Sequence, residues 1–356
     1  MKCSSVESKT IEWLRFFCIS AVVLLHAHRL PISYQNGVND TIRILFSEGL
    51  CRVAVPIFFL ISGYLFFIRL EEWNTNVWKE KLRRRVRTLL YPYLLWNLIS
   101  ILYWLGRPYL AFVLLGIGEP FDISAWYDSI GGLRAFWDSG TGEMPHNYPL
   151  WFIRDLMVFV ILSPAIWCYI RTTSVTGLVL LYSAYFIQLW KVPGLSLEGL
   201  FFFTLGAFLA IRRIGFIDFF KQHWVVATYI AAPLVLVMVL TYGNYNTIWE
   251  YSKRLFTLFG SSCTIGIVSL LIQKQRIKVH SLLSESTFFV FAMHGTIVLP
   301  QIYETLSKVL SGSQVGLIVI YFSAPLLTIV LLVIIFYFLS NWMPKTMSIL
   351  TGGRAR

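Results

Sequence analysis

Apolar residues in this chain run in long blocks rather than at the three-four spacing of a surface helix. Ten blocks read as bilayer-crossing helices, near residues 11–30, 49–68, 88–116, 150–170, 176–190, 196–211, 224–242, 254–273, 286–306 and 314–341. The fifth and sixth are short, with Pro193-Gly194 as a tight turn between them, and the third offers a break at Gly106-Arg107-Pro108. Short alternating strands, the mark of a membrane β-barrel, are not the pattern here. The expected fold is therefore all-α: a polytopic membrane protein of about ten transmembrane helices. It forms a single domain over 1–356, with no repeat, no low-complexity tract and no separate soluble unit. Composition agrees: 57% of the 356 residues are hydrophobic, 17% aromatic and only 13% charged, far more apolar than a soluble domain of this size requires.

The charge then orients the blocks. Thirty basic against 18 acidic residues give a net charge of +12, which in a soluble protein would suggest a nucleic-acid partner. Here the basic residues gather in alternate loops instead. Residues 69–87 carry seven basic and three acidic side chains, and Arg171, Arg212, Arg213, Lys221, Lys274, Arg276, Lys278, Lys345, Arg354 and Arg356 mark the later even-numbered connections and the end of the chain. The largest odd-numbered loop, 117–149, sets Glu119, Asp122, Asp128, Asp138 and Glu143 against Arg134 alone. The positive-inside rule places both termini in the cytoplasm and that loop outside. No short apolar stretch ends in a small-residue cleavage site, so the first block is expected to stay as an anchor in the bacterial plasma membrane. The cysteines (Cys3, Cys18, Cys51, Cys168, Cys263) lack metal-binding or redox spacing, and no metal site is expected.

The first block holds the best candidate chemistry, Arg15 and His26. Eleven steps of ~100° make about three turns plus 20°, so both side chains leave one face, roughly 16 Å apart along the axis. Ionisable groups are costly in hydrocarbon, and two stacked on one face mark a functional path. Sidedness puts Arg15 near the cytoplasm and His26 near the outer surface. A neutral imidazole in a partly dry cavity can take a proton from a hydroxyl, so His26 is the candidate general base. The plainer alternative is a histidine bonded to a neighbouring helix or lying at the interface; His28, about 200° away, reads as interfacial. Glu12, at i−3, would orient Arg15, or the two form a structural pair near the surface.

Other candidates carry the same kind of alternative. Arg83, Arg84, Arg85 and Arg87 open the third block; guanidinium forks suit a phosphate-rich donor, although topology and anionic lipid would also explain them. In the second block Pro56 can kink the helix, while Ser62 and Gly63 allow close approach and leave room for a ligand beside Ser62 and Tyr64. Arg52 enters near the depth of His26, to hold an acceptor or an oxyanion or simply to snorkel. The outer loop and its exit carry Trp126, Tyr127, Phe136, Trp137, His146, Tyr148 and Trp151, a composition equally suited to a saccharide platform and to an interfacial aromatic belt. His294 is a second buried histidine, for cavity shaping or for structure.

Taken in order, these segments resemble the integral-membrane acyltransferase family 3. The landmarks are Glu12-Trp13-Leu14-Arg15 with ten residues leading to His26, then Val55-Pro56-Ile57-Phe58-Phe59-Leu60-Ile61-Ser62-Gly63-Tyr64-Leu65. The arginine cluster before Tyr91-Pro92-Tyr93, Leu150-Trp151-Phe152, Phe203-Thr204-Leu205-Gly206-Ala207 and Ala292-Met293-His294 follow. The likeness spans nearly the whole chain, and around Arg52–Pro56 it is greatest to stand-alone members such as the enterobacterial common antigen O-acetyltransferase. It implies a ten-helix enzyme that takes an acyl group, usually acetyl, from cytosolic acyl-CoA as co-substrate, with no permanently bound cofactor. The acceptor implied is a hydroxyl of a cell-surface glycan or lipid-linked saccharide. Arg15 and His26 match the family's basic residue and catalytic histidine, and Arg84 and Arg87 the arginine pair tied to the donor.

The expected mechanism holds the CoA phosphates on those arginines, passes the pantetheine arm along Arg15 and presents the thioester to a glycan hydroxyl deprotonated by His26. The lipid bilayer and glycan-assembly proteins are the further expected partners. A transporter or polysaccharide exporter, and a scaffold of an envelope complex, are the rival readings; both predict no bond-making chemistry.

Overall fold

The computed structural model describes residues 4–27, 38–116, 122, 124, 127–128, 131–139 and 143–354. His28, the last residues of the first block, Glu119 and Trp126 lie outside the described residues. Among the described residues the chain is helical with no strand.

Helix α1 (Ser5–His26) starts at a capping box: Ser4 Oγ accepts from the Glu7 N–H and the Glu7 carboxylate accepts from the Ser4 N–H. It then runs through the middle of the bundle, packed by α3 (Ala54–Phe67), α10 (Asn246–Gln273), α11 (Ser281–Met293) and α13 (Gln314–Trp342). Leu14, Cys18, Ile19 and Val23 have no exposed surface. This central position explains how a helix bearing Glu12 and Arg15 is kept away from lipid.

Among the described residues, seven helical stretches are long and apolar enough to cross a membrane: Asp40–Phe67, Thr75–Leu115, Ser163–Ile187, Phe216–Thr241, Asn246–Gln273, Ser281–Leu310 and Gln314–Trp342. The first includes α2 (Val38–Arg43), a π turn over Ile44–Gly49 and a 3-10 turn before α3; the second joins α4 (Thr75–Arg85) through a π turn to α5 (Tyr91–Leu115). Next come α6 (Trp151–Ile161), α7 (Ser163–Ile187), the shorter apolar α8 (Leu197–Ile211), α9 (Phe216–Thr241) and α10. In the sixth long stretch α11 passes through a π turn, His294–Val298, into α12 (Leu299–Leu310), and α14 (Pro344–Leu350) follows α13. The outer faces are greasy: Leu326, Val330, Ile334 and Phe338 of α13 are all exposed, as suits contact with lipid tails.

Several boundaries differ from the sequence reading. The block at 88–116 does not break at Pro108; α5 continues through it to a left-handed cap at Gly116, because a proline inside a membrane helix loses one bond without ending the coil. The block at 150–170 is interrupted at Leu162, where ψ falls to 0°, whereas the departure from helical geometry at Ser174 (φ 55°, ψ −132°) falls in the expected connection between the 150–170 and 176–190 blocks. An apolar run does not report a break like that at Leu162, since periodicity is silent about a single residue's dihedrals.

Helices α3 and α8 cross backbone against backbone. A Cβ on Gly63 would lie 2.0 Å from the Phe203 carbonyl oxygen, and one on Gly206 would lie 2.0 Å from that of Leu60. Two of the landmark segments are thus the two halves of one contact. Tyr64, at this crossing, is fully buried against α1, its hydroxyl donating to Glu7 Oε1 at 2.8 Å.

Candidate active site

Two cavities lie end to end along one face of α1. The one beside its first half, about 540 Å³, takes Glu12, Arg15 and Ile19 from α1, Ser62 from α3, Arg85 from α4, Glu285 from α11 and Arg354 from beyond α14. The one beside its end, about 210 Å³, takes Val22, Leu25 and His26, with Arg52, Trp151, Tyr185, Glu198 and Lys253 among the walls. Phe58, Phe152 and Phe291 line both, with ring centroids 5.6 Å apart for Phe58–Phe152 and 6.2 Å for Phe152–Phe291. Three rings from three helices therefore form the partition between the compartment of Arg15 and that of His26.

His26 is 6% exposed and held between two rings. His294 stacks on it with centroids 5.3 Å apart and planes 26° apart, and Tyr148 meets it edge-on at 4.8 Å. The His294 Nδ1 lies 2.8 Å from the Phe291 carbonyl oxygen and 3.1 Å from that of Val290. Carbonyls only accept, so Nδ1 carries the proton and Nε2 is a bare acceptor. That Nε2 is buried with no hydrogen-bond partner among the described residues, at a cost of about 1–3 kcal/mol. The π turn beginning at His294 sets this ring off the regular helix path. Gly295 makes room for the neighbours: a Cβ there would fall 2.5 Å from Pro149 Cγ and 2.9 Å from the Tyr148 hydroxyl.

The polar wall of the smaller cavity is already charge-matched. Arg52 pairs with Glu48, Glu250 receives Lys253 at 2.8 Å and Arg254 at 3.0 Å, and Glu198 Oε1 accepts from the Tyr185 hydroxyl at 3.1 Å. Such a surface suits a neutral, hydroxyl-rich ligand better than an ion, because an added charge would have no uncompensated partner.

The segment over this cavity is anchored from below. The buried Arg154 donates to the carbonyl oxygens of Trp137 (2.6 Å) and Glu143 (2.8 Å) and pairs with Asp155 at 3.0 Å. Asp155 in turn accepts from the Ser196 N–H at 3.1 Å. Asn147 bonds to the Trp96 and Ala292 carbonyls and receives a bond onto its side-chain oxygen from Thr296. Desolvation pushes the half-buried His146 imidazole below its ordinary pKa, which favours its neutral form.

The arginine cluster divides. Arg85 lines the Arg15 cavity. Arg84, with Arg69, Lys81 and Arg85, lines a second basic cavity of about 600 Å³ that shares Arg85 and Leu65 with the first. Arg83 and Arg87 are exposed and line neither. Of the other sequence candidates, Glu12 and Ser62 line the Arg15 cavity, and Arg52 and Trp151 the His26 cavity. Sequence reasoning missed Arg154–Asp155, Glu198, Glu250 and Lys253, which sit at block edges where charge ordinarily means an interface. It also read Arg354 as a topology charge only. Among the described residues no group of histidine, cysteine or carboxylate side chains could hold a metal ion.

An all-helical bundle with apolar outer faces and two end-to-end cavities, one of them holding a caged histidine, is the architecture of a multi-pass membrane protein with a buried polar site. A family model described as an acyltransferase domain matches residues 8–340, and the chain belongs to that family. Over 98% of its length the chain is similar, at 29% identity, to the succinoglycan biosynthesis protein ExoH of Rhizobium meliloti, of which it covers 92%. A stretch of 96 residues, 27% of the chain, is 32% identical to a serine/alanine racemase of Enterococcus gallinarum and covers 13% of that protein. No solved structure matches.

Proposed function

We propose that this protein is a membrane O-acyltransferase that moves an acyl group, acetyl first among them, from cytosolic acyl-CoA to a hydroxyl of an extracytoplasmic glycan or lipid-linked saccharide. It works in the bacterial plasma membrane with ten crossings and both termini in the cytoplasm. The observation that carries this reading is the pair of cavities meeting at Phe58, Phe152 and Phe291. The larger has the arginines a phosphorylated donor needs; the smaller has the histidine and matched polar wall an acceptor needs. A full-length relative named for succinoglycan biosynthesis supports a saccharide acceptor.

Chemically, a sugar hydroxyl in the smaller cavity gives its proton to His26, and its oxygen attacks the thioester carbon presented through the partition. The new C–O bond forms, the C–S bond breaks, and the proton on His26 leaves with the CoA sulfur. The ester departs on the acceptor side and CoA on the donor side, so no free acyl group crosses. His294, with its tautomer set by two carbonyls, keeps the His26 ring in place.

The test incubates purified protein with acetyl-CoA or succinyl-CoA labelled in the acyl group, together with lipid-linked and polymeric saccharides. Label is expected on saccharide hydroxyls. Label remaining on CoA with every acceptor, in protein that binds CoA, would remove the enzyme reading; label arriving only from succinyl-CoA would change the acyl group and keep the reaction.

A further inference from the structure

The segment after α14 reaches the larger cavity by a built turn. The Trp96 indole N–H donates to the Leu350 carbonyl at 2.9 Å, fixing the end of α14. Gly352 and Gly353 then both take positive φ (63° and 77°), a conformation costly for other residues. A Cβ on Gly352 would also lie 2.4 Å from the Thr88 carbonyl oxygen. This double turn brings Arg354 into the cavity lined by Arg15 and Arg85. Its Nη1 donates to the carbonyls of Thr351 (2.7 Å) and Thr88 (3.3 Å), and its guanidinium lies 4.5 Å from the centroid of Phe288. Among the described residues neither Arg354 nor Arg85 makes an ion pair. Desolvation, then the Arg15 and Arg85 charges, push the Arg354 guanidinium below its ordinary pKa. Since arginine keeps its proton, three like charges converge on a pocket whose acids, Glu12 and Glu285, do not outnumber them.

We infer that Arg354 completes, with Arg15 and Arg85, a three-guanidinium seat for the pyrophosphate of the acyl donor. The assignment rests on the donor reading above and adds a residue beyond position 340, where the family match ends. Guanidinium forks bind phosphate oxygens bidentately, and an anion here relieves the repulsion among the three. Lengths agree as well. A pantetheine arm has about twelve skeletal bonds, as many as about four extended residues, and so reaches roughly 14 Å. Arg15 and His26 are separated by roughly 16 Å of helix, so a pyrophosphate at Arg15 puts the thioester at the Phe partition below His26. The adjoining basic cavity of Arg69, Lys81 and Arg84 is left for the remaining phosphate.

The test uses the full chain in phosphatidylcholine nanodiscs and measures CoA and pantetheine binding by calorimetry. Arg354→Gln should weaken CoA binding about ten- to a hundredfold, the loss expected for charge-assisted bonds, and leave pantetheine binding unchanged. Arg354→Lys should restore part of the affinity, and Gly352→Val, which displaces the turn, should mimic Arg354→Gln. Equal weakening toward CoA and pantetheine would mean a merely structural role and overturn the assignment. So would unchanged CoA affinity in Arg354→Gln alongside a loss in Arg85→Gln, which leaves the donor reading standing. Wild-type protein that binds no CoA would sink the donor reading and this one together. With phosphatidylglycerol added, a loss of lipid binding in Arg354→Gln with CoA affinity unchanged would put a headgroup in the seat instead, overturning it too.

Discussion

His26 and His294 stack 5.3 Å apart at the end of α1, and one of them has its tautomer set by backbone carbonyls. In the proposed reaction the two histidines divide the work: His26, which lines the smaller cavity, acts as base, and the fully buried His294 orients it. Replacing His26 with alanine should lower transfer about 10²–10⁴-fold, the usual share of a general base, with CoA affinity unchanged; single-turnover rates and calorimetry check both parts. His294→Leu keeps the packing and removes the ring, so kcat should fall by something of order a hundredfold from misplacement alone while KM for the donor holds. A fall in donor affinity instead would mean His294 acts on the cavity as a whole. At this scale the sequence showed Arg15 and His26 because helical spacing puts them on one face. It was silent on Arg154–Asp155, since an adjacent opposite-charge pair in sequence says nothing of the loop carbonyls it holds.

Helix packing explains why the landmark segments carry the residues they do. Gly63 and Gly206 let α3 and α8 touch backbone to backbone, so Gly206→Ala should separate them and cost about 1–3 kcal/mol. Thermal unfolding in detergent checks it, and Gly106→Ala, whose Cβ would meet nothing within 4 Å, is the control that should leave the midpoint in place. The phenylalanine partition is likewise a property of elements: α3, α6 and α11 each supply one ring. Phe152→Leu should open it and let water reach the thioester, raising acyl-CoA hydrolysis without acceptor several-fold while transfer falls, as thiol release against ester formation will read out. The sequence placed Phe58, Phe152 and Phe291 in separate apolar blocks, where they look like ordinary core. Periodicity cannot report that three rings on three helices meet.

Across the whole molecule, charge and cavity share one axis. Arg69, Lys81, Arg84, Arg85 and Arg354 collect at the end where α1 begins, and Met144, next to Glu143, lines the cavity at the end where it finishes. The proposed topology predicts that a single cysteine at Lys345 is labelled by an impermeant thiol reagent only from the cytoplasm, and one at Asp128 only from outside, in a background lacking native cysteines. The reverse pattern would turn the reaction path around. The sequence by itself determined the helical class, because only long apolar blocks satisfy the backbone inside lipid, and it determined the polar line along the first helix, because 3.6-residue periodicity is local. Tertiary structure alone decided that Arg15 and His26 line two cavities with three shared rings between them, that Tyr64 bonds to Glu7 of α1, and that Arg354 joins Arg15. These depend on which helices become neighbours, and that follows from shape and close approach among residues far apart in the chain.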